Sequence, residues 1–351
     1  MIGVLRGLIA AAAASAATLL PGCASDSSMS AYRSLVLKSL SPPPEGVVRV
    51  RFMGTSTILL EDQQTRILTD GFFTRPSLPK VATEMLEPDI GRIRDALQRA
   101  EADRIAAIFV AHSHYDHALD SADVAKETGA TVYGSQSTLN IAAGRPFKVP
   151  LELIEGGGEV PVNGFHVKVF RAEHSSPQRY SGSITAPLKL PAWASDFQEG
   201  ASFSFLVTYG NLRILIHPSA NFIAGMFRGV EADVVFLGTA YLATQEDDRP
   251  GFAKAYWCEL VERTGAKLVI PIHWDDFFVP LDQPLRPLPR NTGSFDETMA
   301  LIHKEAAASG VAIRLMPLFD PVDFPLQDPS LTPDTPVRPR KAGDACPWAK
   351  G

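Results

Sequence analysis

The feature that most constrains this chain is a junction: the apolar run Ala106-Ala107-Ile108-Phe109-Val110 leads straight into Ala111-His112-Ser113-His114-Tyr115-Asp116-His117. An apolar run of this length, bounded by polar residues, reads as a buried strand. Three imidazoles and a carboxylate then follow at its end, where a rigid scaffold can aim them. Imidazole and carboxylate are the ordinary ligands of zinc and related divalent ions. A polar loop of satisfied surface histidines is the plain alternative, but it does not account for such density beside a strand. The spacing points to a metal site.

Length, charge and termini set the frame. At 351 residues, with 45% hydrophobic and 21% charged residues, the chain has the composition of a globular protein with one large domain or two small ones. A net charge of −6 and the lack of a Lys/Arg cluster disfavour nucleic acid as a partner. Residues 1–22 carry Arg6 and then an apolar run ending in Leu20-Pro21-Gly22-Cys23, the pattern of a bacterial lipoprotein signal with Cys23 as the lipidated residue. An ordinary secretory signal or an uncleaved anchor is the alternative. Ala24 after Cys23 favours the outer membrane, so the expected location is the cell envelope, with a lipid anchor as the membrane contact. Residues 23–46, rich in Ser and Pro, read as a tether. Cys258 and Cys346 are free to pair in an oxidising compartment, or Cys258 stays a buried thiol.

From residue 47 onward strands dominate, with helices expected at 90–102, from Asp120 or Ser121 as cap, at 252–264 and at 294–309. Strands 202–209 and 212–216 flank Gly210-Asn211 and read as a hairpin. The order of elements suggests two similar halves within one domain, 47–318, followed by a Pro-rich tail, 319–351. Two more histidines stand where strands give way to loops: His174, after 165–170, and His273, after Lys267-Leu268-Val269-Ile270. Strand ends on one edge of a sandwich converge, so residues distant in sequence can share a pocket. His166 and His303 read as structural.

The motif His112-x-His114-x-Asp116-His117, with His174 and Pro271-Ile272-His273-Trp274, resembles the metallo-β-lactamase fold superfamily. Gly54-Thr55-Ser56-Thr57 and Leu68-Thr69-Asp70 are similar to the branch of L-ascorbate-6-phosphate lactonase-like and N-acyl-phosphatidylethanolamine phospholipase D-like proteins. The resemblance implies an α/β fold, a four-layer αββα sandwich, with metals at one edge. It implies a first metal on His112, His114 and His174, and a second on Asp116, His117 and His273. Zinc is the expected cofactor, as one or two ions, with Mn or Fe also compatible. Asp116 doubles as the catalytic group that orients an attacking hydroxide, and Asp70 is either a support for a ligand or a turn cap.

Two departures stand out. The strand end where the family places a metal-bridging Asp reads Ile216-His217-Pro218-Ser219-Ala220-Asn221, leaving His217 or Ser219 at that position; Thr55 replaces a common His. The second metal is therefore expected to be weaker. Trp193, Phe197, Phe222, Phe227, Phe277 and Phe278 are candidates to line an apolar pocket beside the metals. The expected function is metal-dependent hydrolysis by a metal-bound hydroxide, on a phosphodiester, lactone or amide, with a lipid-like or other small-molecule substrate. A surface binding lipoprotein on the same fold is the rival.

Overall fold

The computed structural model describes residues 29–37, 47–289, 294–325 and 346. The signal segment 1–22, Cys23 and most of the tail lie outside the described residues. Two seven-stranded sheets pack face to face. In chain order the first contains β1 (Val48–Phe52), β2 (Ile58–Glu61), β3 (Arg66–Thr69), β4 (Ala107–Phe109), β5 (Thr131–Gly134) and β6 (Leu151–Leu153). The second contains β7 (Glu159–Val162), β8 (Phe165–Ala172), β9 (Ser202–Tyr209), β10 (Leu212–His217), β11 (Val234–Gly238), β12 (Leu268–Ile272) and β13 (Ala312–Ile313). The last strand, β14 (Val322–Phe324), returns to the first sheet beside β1.

Each half begins with antiparallel strands and continues with parallel ones, so the expected pair of similar halves is present. Parallel pairing requires crossovers, and these supply the outer helices. They include α1 (Leu78–Thr83), α2 (Ile90–Arg99), α3 (Tyr115–Ala118), α4 (Ser121–Thr128) and α5 (Gln136–Ala143) on the first half. On the second half lie α6 (Leu242–Asp248), α7 (Phe252–Trp257) and α8 (Phe295–Ser309). The Asp89 side chain caps α2, and Ile93, Ala96 and Leu97 bury at the spacing read from the sequence. Tyr209 pairs with Leu212, so Gly210, at φ 56°, and Asn211 make the two-residue hairpin turn.

Three apolar cores follow from this layering. One lies between the sheets, around Val50, Phe109, Phe165, Phe205 and Phe236. The others lie under the first-half helices and under α7 and α8. The result is the four-layer αββα sandwich.

Among the described residues, both ends of the domain differ from the expected boundaries. The domain does not stop at 318, because β14 pairs with β1 and buries Val322 and Phe324 in the inter-sheet core. Cys346 forms a disulfide with Cys258, whose Cα lies 5.7 Å away, at the π-helical turn that continues α7. In the expected tether, residues Met29–Leu35 form a 3-10 helix docked on the domain. Tyr32 donates to Asp296 at 2.7 Å and meets the Phe295 ring edge-on, and Leu37 N–H donates to Leu315 O. The cause is apolar: Met29, Tyr32, Leu35 and Val36 pack against the core under α8.

Candidate metal centre

Six side chains converge in two sets: His112, His114 and His174, and Asp116, His117 and His273. Within each set the potential ligand atoms lie within 4.8 Å of one another. The chain leaves β4, passes His112 and His114, and enters the one-turn helix α3, which presents Asp116 and His117. His174 follows β8 and His273 follows β12, so both come from the second sheet. The sheets therefore close on each other at this edge. The His112 and His117 ring centroids are only 3.9 Å apart, which makes the sets neighbours.

The donor chemistry fits a divalent ion. His112 Nε2 and His114 Nδ1 are 3.1 Å apart, and His117 Nε2 and His273 Nε2 are 3.3 Å apart. Two nitrogens on one tetrahedral zinc, each bonded at about 2.0–2.1 Å, are separated by about 3.3 Å. Asp116 Oδ2 lies 3.3 Å from His273 Nε2 and 3.6 Å from His117 Nε2. His174 Nδ1 donates to the Ser175 carbonyl at 2.8 Å, which places the ring proton on that nitrogen and leaves the Nε2 lone pair free for an ion. Asp70 does the same for His117, accepting from its Nδ1 at 2.8 Å.

Asp70 is thus a support, not a turn cap. Its Oδ1 accepts from Ala111 N–H at 2.7 Å and its Oδ2 from Ser56 Oγ at 2.5 Å, tying β3 to the motif. Its backbone sits at φ 57°, a conformation Asp tolerates better than most residues. Asp120, the expected cap of α4, bonds instead to Phe73 N, Thr74 N and Thr74 Oγ1, and burial pushes its carboxyl up to about 7.

The electrostatics divide the sets. Burial holds His112 far below the usual imidazole range, lowers His114 to about 4 and lowers His174 to about 3, with neighbouring imidazoles adding to the effect. Burial also pulls His117 down, but Asp70 and Asp116 outweigh it and the ring is raised. Burial pushes Asp116 up, yet His117, His273 and His114 together hold its carboxyl well below the usual range.

A buried charge pair unread in the sequence backs the second set. Arg75 Nη2 lies 2.6 Å from Asp275 Oδ2, both side chains almost fully buried. Asp275 Oδ1 accepts from Thr55 N–H, and Thr55 O accepts from His273 N–H at 2.7 Å. Gly54 is required here: a Cβ on it would stand 2.1 Å from Arg75 Nη1, and its φ is +84°. Asp275 stands two residues after His273, and that proximity was the one available signal.

His217 and Ser219 belong to neither set. Both ring nitrogens of His217 are engaged, Nδ1 with Ser204 Oγ and Nε2 with Asn221 O, each at 2.6 Å. His166 and His303 are exposed and also outside both sets. Of the aromatic candidates, Phe277 meets the His273 ring edge-on at 5.4 Å and packs on Phe278. Trp193 is 47% exposed. Phe197, Phe222 and Phe227 are buried in the helical-layer cores, because their loops fold inward over apolar neighbours. Tyr180, unread in the sequence, stands edge-on to His114 at 6.1 Å.

Residues 65–274 match the family model for the beta-lactamase superfamily domain. A "UPF0173 metal-dependent hydrolase" of Sinorhizobium medicae is 31% identical over 132 residues, 37% of this chain and 50% of that protein. One of Staphylococcus aureus is 24% identical over 230 residues, covering 66% of this chain and 87% of that protein. The chain spans about half the length of the first of these curated relatives. Among solved structures, a metallo hydrolase of Ignicoccus hospitalis aligns at a TM-score of 0.49 with 13% identity, over 80% of this chain and 100% of that one.

Proposed function

The chain belongs to the beta-lactamase superfamily, and from that membership and its two donor sets we propose that it is a metal-dependent hydrolase. The observation that carries the reading is the convergence of six imidazole and carboxylate ligands at one edge of the sandwich. His112, His114 and His174 would hold one ion and Asp116, His117 and His273 the other, with zinc favoured and Mn or Fe compatible. Bound there, the metal supplies Lewis acidity and lowers the pKa of water toward ~7.

The chain's own groups do the rest. Asp116 is held ionised by the neighbouring imidazoles, and in this reading its carboxylate accepts a hydrogen bond from the attacking water and orients it. Asp70 and Ser56 hold His117, so the set keeps its shape as charge develops. Tyr180 stands edge-on to His114 and Phe277 edge-on to His273, giving the site aromatic surface on both sets. Such surface favours a substrate with an apolar part next to its scissile group, and a lipid-like phosphodiester is the class we favour over a lactone or amide.

The proposed location is the cell envelope, on a lipid at Cys23. The 1–22 pattern supports it, and the Cys258–Cys346 disulfide suits an oxidising compartment. Because Met29–Leu35 docks, five residues, 24–28, separate Cys23 from the domain, a reach from Cys23 to Met29 of at most about 22 Å. The anchor then holds the protein close to the bilayer. A Cys23→Ser chain that still fractionates with membranes would overturn this placement.

The test of function is metal content of the purified chain with a screen of phosphodiester, lactone, ester and amide substrates. Metal-dependent turnover of one class is expected. Full turnover by metal-free His114→Ala would sink the proposal, and tight metal binding with no turnover would favour the binding-protein rival.

A further inference from the structure

His217 ends β10 at the edge where the donor sets lie, completely buried, with both ring nitrogens used and neither facing a set. Its partners fix its tautomer. The Asn221 carbonyl can only accept, so Nε2 carries the proton, and Nδ1 accepts from the Ser204 hydroxyl. Ser204 lies on β9, so the ring joins two neighbouring strands to the loop that follows them.

That loop reaches the first donor set. Asn221 Nδ2 donates to the His174 carbonyl at 2.9 Å. Gln245 adds a second link, donating to Ala220 O at 2.6 Å and accepting from Ser176 N–H at 3.1 Å. The backbone at 174–176 is therefore held from both ends of one short turn. His112 and His114 need no such device, because they share a turn two residues apart. His174 comes from the other sheet, is the least buried member of its set and has no covalent neighbour in it.

We propose that His217 is a positioning residue: with Ser204 and Asn221 it forms a strut that places His174 and so sets the metal affinity of the three-imidazole set. The proposal rests on the metal-dependent reading above. It explains how a strand end without a carboxylate serves the site. The neutral ring brings no charge to the metals, but it orders the ligand that only the second sheet can supply. Phe227 and Tyr256, with ring centroids 6.2 and 5.6 Å away, pack the imidazole so that it acts as a rigid spacer.

The test is a cobalt titration of the metal-stripped full chain, followed by d–d absorption, with melting of each variant recorded alongside. His217→Phe keeps a ring but loses both hydrogen bonds. It is expected to weaken one of the two metal equivalents about 10- to 100-fold and to leave the other unchanged. His217→Gln, which can accept from Ser204 and donate to Asn221, restores most of the loss. Asn221→Ala repeats it without touching the core around β10, and so covers the case in which His217→Phe does not fold. The double variant adds little to either single one, as expected of one strut. Unchanged cobalt binding in Asn221→Ala overturns the proposal, as does an equal loss of both equivalents, which marks general destabilisation. A wild-type chain that binds no cobalt overturns the metal-dependent reading itself, and that result is visible before any variant is compared.

Discussion

The two donor sets stand side by side at one edge of the sandwich, yet they are built on opposite electrostatics. The His112, His114 and His174 set contains only imidazoles, kept neutral by burial and by one another. The Asp116, His117 and His273 set holds one carboxylate and has a second, Asp70, behind it, with the Arg75–Asp275 pair bracing the turn at His273. Neutral nitrogens leave an ion its charge, while carboxylates offset it. The first set is thus the better source of Lewis acidity and the second the better place to hold and orient a proton-bearing nucleophile.

The largest effects come from deleting one set at a time. His114→Ala and His273→Ala should each remove one metal equivalent and, on the proposed two-ion reading, lower turnover about 1,000-fold or more. Metal analysis beside kinetics checks this, and a His273→Ala chain with full turnover would reduce the centre to a single working site. Next in size is Asp275→Asn, which strands Arg75 in the interior at a cost of about 3–5 kcal/mol. Urea unfolding measures it; a loss below about 1 kcal/mol would mean the pair does not brace the second set.

The pH dependence should separate the sets by sign. In the metal-free chain His114, held down to about 4 from 6.5, is neutral when folded, and the unfolded state binds more protons below pH 6.5. Stability is then complete above that value and falls as pH drops toward 4, by on the order of 3 kcal/mol for this ring. His117, raised despite burial, runs the other way: its contribution is complete below 6.5 and is lost as pH rises through its folded pKa. Unfolding from pH 4 to 8, with His114→Ala flattening the acid side, tests the contrast. An acid limb unchanged by that substitution breaks it. The smallest effect is expected from Asp70→Asn, a 10- to 100-fold weakening confined to the second metal equivalent, read by the same titration. Equal weakening of both would erase the distinction between the sets.

Much of this centre was legible because its residues advertise themselves. Histidines are scarce, so those at strand ends stand out by type and position, and the family resemblance supplied their grouping into two sets. Hairpin register and the amphipathic α2 were legible for the same reason, since period and turn chemistry are local. Arg75 and Asp275 were not: a lone Arg and a lone Asp 200 positions apart carry no signal until the sheets bring them together. Phe197, Phe222 and Phe227 turn away from the expected pocket into the cores, and an aromatic in a loop carries no sequence sign of whether it turns inward or outward. The Ser- and Pro-rich stretch before residue 47 has the composition of a tether, but Tyr32 and its neighbours meet an apolar surface on α8 that composition cannot show.

By itself the sequence determined the imidazole and carboxylate residues at the strand ends and the lack of an acidic residue at the end of β10, while the layered α/β architecture and the two donor sets came from the family resemblance. Only the tertiary structure decided what His217 does there, which groups brace each set, and that the last strand crosses back to β1. The reason is physical. Residue type and local period report short-range preferences, whereas the direction of a buried side chain and the partner of a buried charge depend on elements far apart in the chain that meet only when the sheets close.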